Sequence, residues 1–231
     1  GKLTTASSNV AMGYGTLKEA TTGGSNTAIG NEAMNNATTA SSAVAIGMES
    51  MKALTTGYSN TAIGYGSSGL MTTGNRNVAV GMEASQYNTV GTQNSSLGYQ
   101  ALWKNTANDN TAVGSMALRL NTTGTRNTAL GYQALTANTS ANNNAANFNL
   151  AIGFESLLST TSGSNNVGVG AYSLSANTTS SGNTAFGYQS MKANTTAADN
   201  TALGYNAMLV STTGAYNTAV GNIALSGLTT G

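Results

Sequence analysis

The stretch Asn127-Thr-Ala-Leu-Gly-Tyr-Gln-Ala-Leu135 decides the fold, because it returns as Asn200-Thr-Ala-Leu-Gly-Tyr-Asn-Ala-Met208 and, with variation, along the whole chain. Its glycine recurs at Gly13, Gly30, Gly47, Gly64, Gly81, Gly98, Gly114, Gly131, Gly153, Gly170, Gly187, Gly204 and Gly221. The spacing is 17 residues throughout, apart from one interval of 16 and one of 22. The thirteen copies share a unit N-T-A-Φ-G-Y-x-A-L-x-x-N-T-T-G-x-x, with Φ apolar and positions counted from the Asn. Paired-helix repeats need about 33 residues or more, so this period fits one coil of a β-solenoid.

Variation between copies shows what each position demands. Position 4 runs Met12, Ile29, Ile46, Ile63, Val80, Leu97, Val113, Leu130, Ile152, Val169, Phe186, Leu203, Val220, apolar without exception, and is expected to face a core. Position 9 is Leu or Met in eleven copies, with Ser68 and Ser85 as exceptions. Position 2 exchanges Thr with Val, as a packed strand site with no need of a hydroxyl would. Position 3 is Ala in eleven copies, with Ser96 and Gly168 in the others. Something lies close there: either another chain, the reading preferred here, or the far wall of a narrow interior.

Position 13 is Thr in every copy and is never replaced by Val. Its hydroxyl is therefore expected to bond a nearby backbone group at a turn, so Thr122→Val should cost more stability than Thr128→Val. Position 1 is Asn in twelve of the thirteen copies. Stacked one coil apart, these predict an amide ladder. The invariant Gly at position 5 predicts positive φ or close backbone approach. A frequent Gly at position 15 (Gly23, Gly57, Gly74, Gly91, Gly124, Gly163, Gly214) marks a second turn.

These readings predict an all-β chain, a parallel β-solenoid or β-roll of thirteen 17-residue coils. Residues 1–231 form a single repeat array with no separate globular domain. Positions 1 to 5 are expected to be a strand, and positions 11 to 14 could give a second short one. Positions 6 to 10 stay open between an extended corner and one helical turn. At roughly 4.8 Å per coil the array would be a rod about 60 Å long. A five-residue insertion within residues 140–148 and the missing residue between Gly98 and Gly114 read as surface turns. Each coil buries only about two or three apolar side chains, against an ordering cost of about 1–2 kcal/mol per residue. Self-association, most simply a homotrimer, is therefore expected, and Ala129→Leu should disrupt it by overpacking. The chain opens on Gly1, as a processed piece would. Leu3 and Leu228 both lie inside ordinary repeat units without a polar cap, so both ends are expected to abut flanking fibre domains or stacked subunits.

Composition excludes much chemistry. There are 36 Thr, 30 Asn and 29 Gly, but no His, Cys or Pro. Without His or Cys there is no common zinc or copper site, no thiol nucleophile and no imidazole base. Charged residues make up 6% of the chain at a net charge of +1, against about 25% in ordinary domains. That argues against nucleic-acid binding, which needs clustered Lys and Arg. No apolar run is long enough to span a membrane, and no signal peptide opens the chain.

The unit resembles the N-T-A-Φ-G-Y-x-A-L-x-x-N-T-T-G repeats of phage tail-fibre and bacterial surface-fibre proteins, carried here by Asn127–Leu135 and Asn200–Met208. Ala43-Val-Ala-Ile-Gly47 and Asn77-Val-Ala-Val-Gly81 are similar to the S-V-A-I-G repeats in the heads of YadA-type trimeric autotransporter adhesins. The resemblance covers essentially the whole chain. It implies a parallel β-roll, three chains about an axis, and a place on a virion or cell surface.

No residue is assigned a catalytic, metal-binding or cofactor-binding role, and no cofactor is expected. Glu32, Glu49, Glu83 and Glu155 share position 7, and Lys18, Lys52, Arg119 and Lys192 share position 10. A carboxylate pair such as Glu32 and Glu49 could serve glycoside cleavage. A solvated face of paired opposite charges, as in Glu49 and Lys52, is the plainer reading. Tyr14, Tyr65, Tyr99, Tyr132, Tyr188 and Tyr205, with Phe154, share position 6 and read as a packing ladder rather than a sugar platform. Six sequons begin at Asn36, Asn94, Asn121, Asn138, Asn177 and Asn194, and Trp103 stands as a lone surface candidate. The expected function is a non-enzymatic structural module of an extracellular, cell-surface or virion fibre. The alternative is a solenoid that binds a glycan or receptor or, less readily, ice, since the paired Thr of positions 13 and 14 point to opposite faces of a strand.

Overall fold

The computed structural model describes residues 5–138 and 146–227. The chain divides into two compact units, Gly1–Asn110 and Thr111–Gly231. Both are parallel β-solenoids built of the same coil. The first unit carries β1 (Val10–Met12), β2 (Thr27–Ile29), β3 (Val44–Ile46), β4 (Thr61–Ile63), β5 (Val78–Val80) and β6 (Ser95–Leu97). The second carries β7 (Thr111–Val113), β8 (Thr128–Leu130), β9 (Leu150–Ile152), β10 (Val167–Val169), β11 (Thr184–Phe186), β12 (Thr201–Leu203) and β13 (Thr218–Val220). Within each unit every strand pairs in parallel with the next, in register with the repeat: Ala45 lies opposite Ala62, and Ala62 opposite Ala79.

Each strand is only three residues long and occupies positions 2 to 4 of its unit. Successive side chains of a strand point to opposite faces, so one face takes position 3 and the other takes positions 2 and 4. Position 3 faces inward: Ala28, Ala45, Ala62, Ala129 and Ala185 are fully buried within their own coil. The expectation that Ala packs against another chain is thereby corrected, since it lines the narrow interior. Position 4 is corrected as well. Its apolar side chains point outward, with Leu97 at 49% and Phe186 at 52% exposure. A coil this thin has room at the strand only for a methyl group, so the bulky residues stand on the other face.

The interior is completed from the rest of the unit. Position 9 lies in it, with Met34, Met51, Leu102, Leu118, Leu135 and Met208 fully buried. Position 12 shares the interior with it. Met34 is matched by the small Ala37, whereas the small Ser68 is matched by Met71, all buried in their coils. In other coils both residues are large, as Met51 with Leu54, or both small, as Ser85 with Asn88, all buried.

Positions 6 to 12 are neither extended nor helical, and no helix occurs among the described residues. In one coil Glu49 has φ 58°, Met51 48° and Ser59 55°, and positions 7, 9 and 17 repeat this left-handed backbone coil after coil. Such backbone costs about 1–2 kcal/mol per non-glycine residue. Hydrogen bonds between coils offset it: Glu49 N donates to Asn31 O at 2.9 Å, and Met51 N to Ser67 O at 3.0 Å. Among the described residues no second strand forms at positions 11 to 14. Thr21 N and Thr22 N both donate to Thr38 O, at 2.9 and 3.2 Å, so one carbonyl per coil takes both bonds where a strand would alternate them.

Gly47 meets both demands read from position 5. Its φ is 128°, and a Cβ there would stand 2.5 Å from Gly64 O in the next coil. Gly74 at position 15 lacks positive φ but needs the close approach, since a Cβ would stand 2.5 Å from Gly91 O. The turn residues 140–145 and the terminal Leu3 and Leu228 lie outside the described residues. Ala146 closes the longer turn in register, its carbonyl accepting from Asn127 Nδ2 at 2.8 Å.

Candidate functional site

Two polar ladders hold the coils and take up most of the conserved side-chain chemistry of the repeat. Thr55 Oγ1 donates to Thr72 O at 3.0 Å, Thr72 Oγ1 to Thr89 O at 3.0 Å, and Thr161 Oγ1 to Thr178 O at 3.1 Å. This is the hydroxyl-to-backbone bond that the invariant Thr predicted. The Asn ladder runs largely through backbone. Asn166 Oδ1 accepts from Asn183 N at 3.0 Å, and its Nδ2 donates to Ser180 O at 2.9 Å and to Asn149 Oδ1 at 3.2 Å. These residues stabilise the array and are occupied.

The charged candidates sit on the turn segment. Lys52 Nζ lies 2.6 Å from Glu32 Oε2 and 3.1 Å from Glu49 Oε1. Hydrogen bonds from Glu32 first, then Glu49, raise the Lys52 pKa above its ordinary value. The two carboxylates therefore share one ammonium instead of flanking an open gap where a glycosidic bond would lie. Glu83 Oε2 accepts from Gln100 Nε2 at 2.7 Å. Lys192 Nζ stands 5.2 Å from the Tyr172 ring centre.

Aromatic rings form a ladder in the second unit: Tyr132, Phe154, Tyr172, Tyr188 and Tyr205, with centroids 5.3, 5.3, 6.1 and 5.4 Å apart. Position 6 is Ala171 in the middle coil, and Tyr172 reaches in from position 7 to fill the gap. Reading one column alone misses that ring; the signal was the Tyr beside the only Ala in the column. Tyr132 with Phe154, and Tyr188 with Tyr205, lie face to face at 20° and 14°. Rings stacked this way turn faces to one another and leave mainly edges for a ligand.

Trp103 is not alone. Its Nε1 donates to Gln86 Oε1 at 2.9 Å, and its ring meets Tyr87 edge-on at 4.7 Å. Of the six sequon asparagines only Asn36 is exposed; Asn94, Asn121, Asn138, Asn177 and Asn194 are buried in their coils. A glycan on any of these five is incompatible with the fold.

Among the described residues, the outward strand face is both apolar and exposed. In the first unit it presents Val10, Met12, Ile63, Val78 and Leu97 at position 2 or 4, and in the second Leu130, Phe186, Leu203 and Val220, all exposed. Position 6 adds Tyr65, Met82 and Tyr99 to the first unit and Tyr132, Tyr188 and Tyr205 to the second. Comparison with protein-family models, with curated proteins and with solved structures found nothing that matches this chain.

Proposed function

We propose that this chain is a non-enzymatic structural module, the shaft or head of an extracellular fibre on a cell surface or virion, and that its copies pack together, as a homotrimer, through the outward strand face. The observation that carries the reading is position 4. It is apolar in all thirteen copies, yet it points away from the interior of its own coil. Contiguous exposed apolar surface of this kind marks an interaction site. Covering a half-exposed Leu or Ile contributes about 1 kcal/mol, and the gain recurs in every coil. An apolar row that recurs coil after coil on every copy can be buried about a common axis in a closed symmetric homo-oligomer. A fibre is what such an array performs mechanically: reach, stiffness and display from a sequence poor in reactive side chains. The resemblance to tail-fibre repeats and to YadA-type heads supports the same reading. Negative-stain images and mass measurement of the purified chain test it: rods of several chains are expected, and single 23.1 kDa chains would overturn it.

A further inference from the structure

We propose that the recess at Gly66 and Gly69 is a binding site for one uncharged sugar ring, a pyranose recognised through its hydroxyls. The site is built from positions 7, 10 and 11 of the unit, none of which belongs to the outward strand face. The coil of Gly64 is the only one with glycine at both position 7 and position 10. Two side chains are thus missing from the column, and a recess of about 180 Å³ opens, lined by Glu49, Lys52, Gly66, Gly69, Leu70 and Gln86. At ~30 Å³ per water that is the space of about six waters, enough for a single ring and too little for an extended ligand.

The walls are held from neighbouring coils. An indole N–H only donates, so the Trp103 bond fixes Gln86 with its oxygen toward Trp103. The amide Nε2 is then turned into the recess, 3.3 Å from where a Cβ on Gly66 would stand. On the other wall Glu49 and Lys52 are tied to each other at 3.1 Å, and Lys52 is anchored on Glu32 at 2.6 Å. The recess thereby offers a carboxylate acceptor, an amide donor and an ammonium donor around the exposed Leu70. Sugar hydroxyls both donate and accept, and a ring also presents C–H groups to an apolar patch. Two carboxylates against one ammonium disfavour an anion, and Lys52 already occupies the place a ligand amine would take between them.

The test uses the full chain, a panel of methyl pyranosides and the corresponding free sugars. Saturation-transfer NMR measures affinity, and emission from Trp103, the only tryptophan, reports occupancy beside Gln86. At least one sugar of the panel, as free sugar or methyl glycoside, is expected to bind in the millimolar range and to shift that emission. Equal binding of methyl glycoside and free sugar identifies the end of a glycan as ligand; binding of the free sugar alone identifies a soluble monosaccharide. Gly66→Gln should weaken binding at least about tenfold. That substitution suits the backbone, since Gln100, Gln133 and Gln189 hold position 7 elsewhere with φ 51°, 52° and 53°. Gln86→Ala should weaken binding similarly, read by NMR, and serves if the first variant misfolds. Failure of every sugar to bind the unaltered chain, undiminished binding by folded Gly66→Gln, or binding of methylammonium or sulfate in preference to all sugars would overturn the proposal.

Discussion

Ala129 and Leu130 are neighbours in the chain and lie on opposite faces of β8: Ala129 is fully buried, and Leu130 is 45% exposed. Ala129→Leu forces three extra carbons into a closed coil and should cost about 1–3 kcal/mol through overpacking. Leu130→Ala removes a side chain that touches little of its own coil and should leave the secondary structure intact. Thermal melts followed by circular dichroism separate the two, and a larger loss for Leu130→Ala would reverse the assigned faces.

The Thr column gives a second contrast. Thr72→Val removes the hydroxyl that bonds Thr89 O at 3.0 Å, which should cost about 0.5–1.5 kcal/mol. Thr61→Val at position 2 copies Val44 and Val78 in the flanking coils and should stay within about 0.5 kcal/mol. Indistinguishable melting temperatures would show that the hydroxyl contributes nothing.

Asn166 is fully buried, with its oxygen on Asn183 N and its amide on Ser180 O. Asn166→Ala leaves these buried groups without that partner, at about 1–3 kcal/mol each. The loss should exceed that of exposed Asn36→Ala, which the same melts would show at close to the unaltered value.

Position 5 glycine, position 9 Leu or Met and position 13 Thr were legible in the sequence because each states a demand that few residues meet. Gly47 excludes a side chain, Met51 fills the interior, and Thr72 supplies a hydroxyl that Val cannot. The left-handed backbone at Glu49 and Ser59 was not legible, because ordinary residues occupy it and hydrogen bonds between coils stabilise it. The faces of positions 3 and 4 were read in reverse. Apolar character usually signals burial, but in a coil too thin for Ile or Leu beside the strand the small residue goes inside. Tyr172 escaped for a simpler reason: it joins the aromatic ladder from the adjacent column.

Lys52 gives a pH dependence of definite sign. Its bonds to Glu32 and Glu49 raise its pKa above the ordinary 10.5. Any stability from this cluster is therefore fully present below that value and is lost as pH rises through the higher folded-state pKa. The side chain is 40% exposed, so solvent screening keeps the effect small. Melting temperatures of the unaltered chain and Lys52→Met should differ little below the lysine range and converge above it; a difference that grows at alkaline pH would contradict the sign.

The mass of the chain in solution, measured by light scattering beside Ile63→Lys and Leu130→Lys, tests the outward face most directly. A lysine there points into solvent in an isolated coil but into the partner in an assembly, so it separates association from folding. Three times 23.1 kDa is expected for the unaltered chain, and a smaller mass with undiminished β circular dichroism for the variants. A mass of 23.1 kDa for the unaltered, folded chain would contradict it.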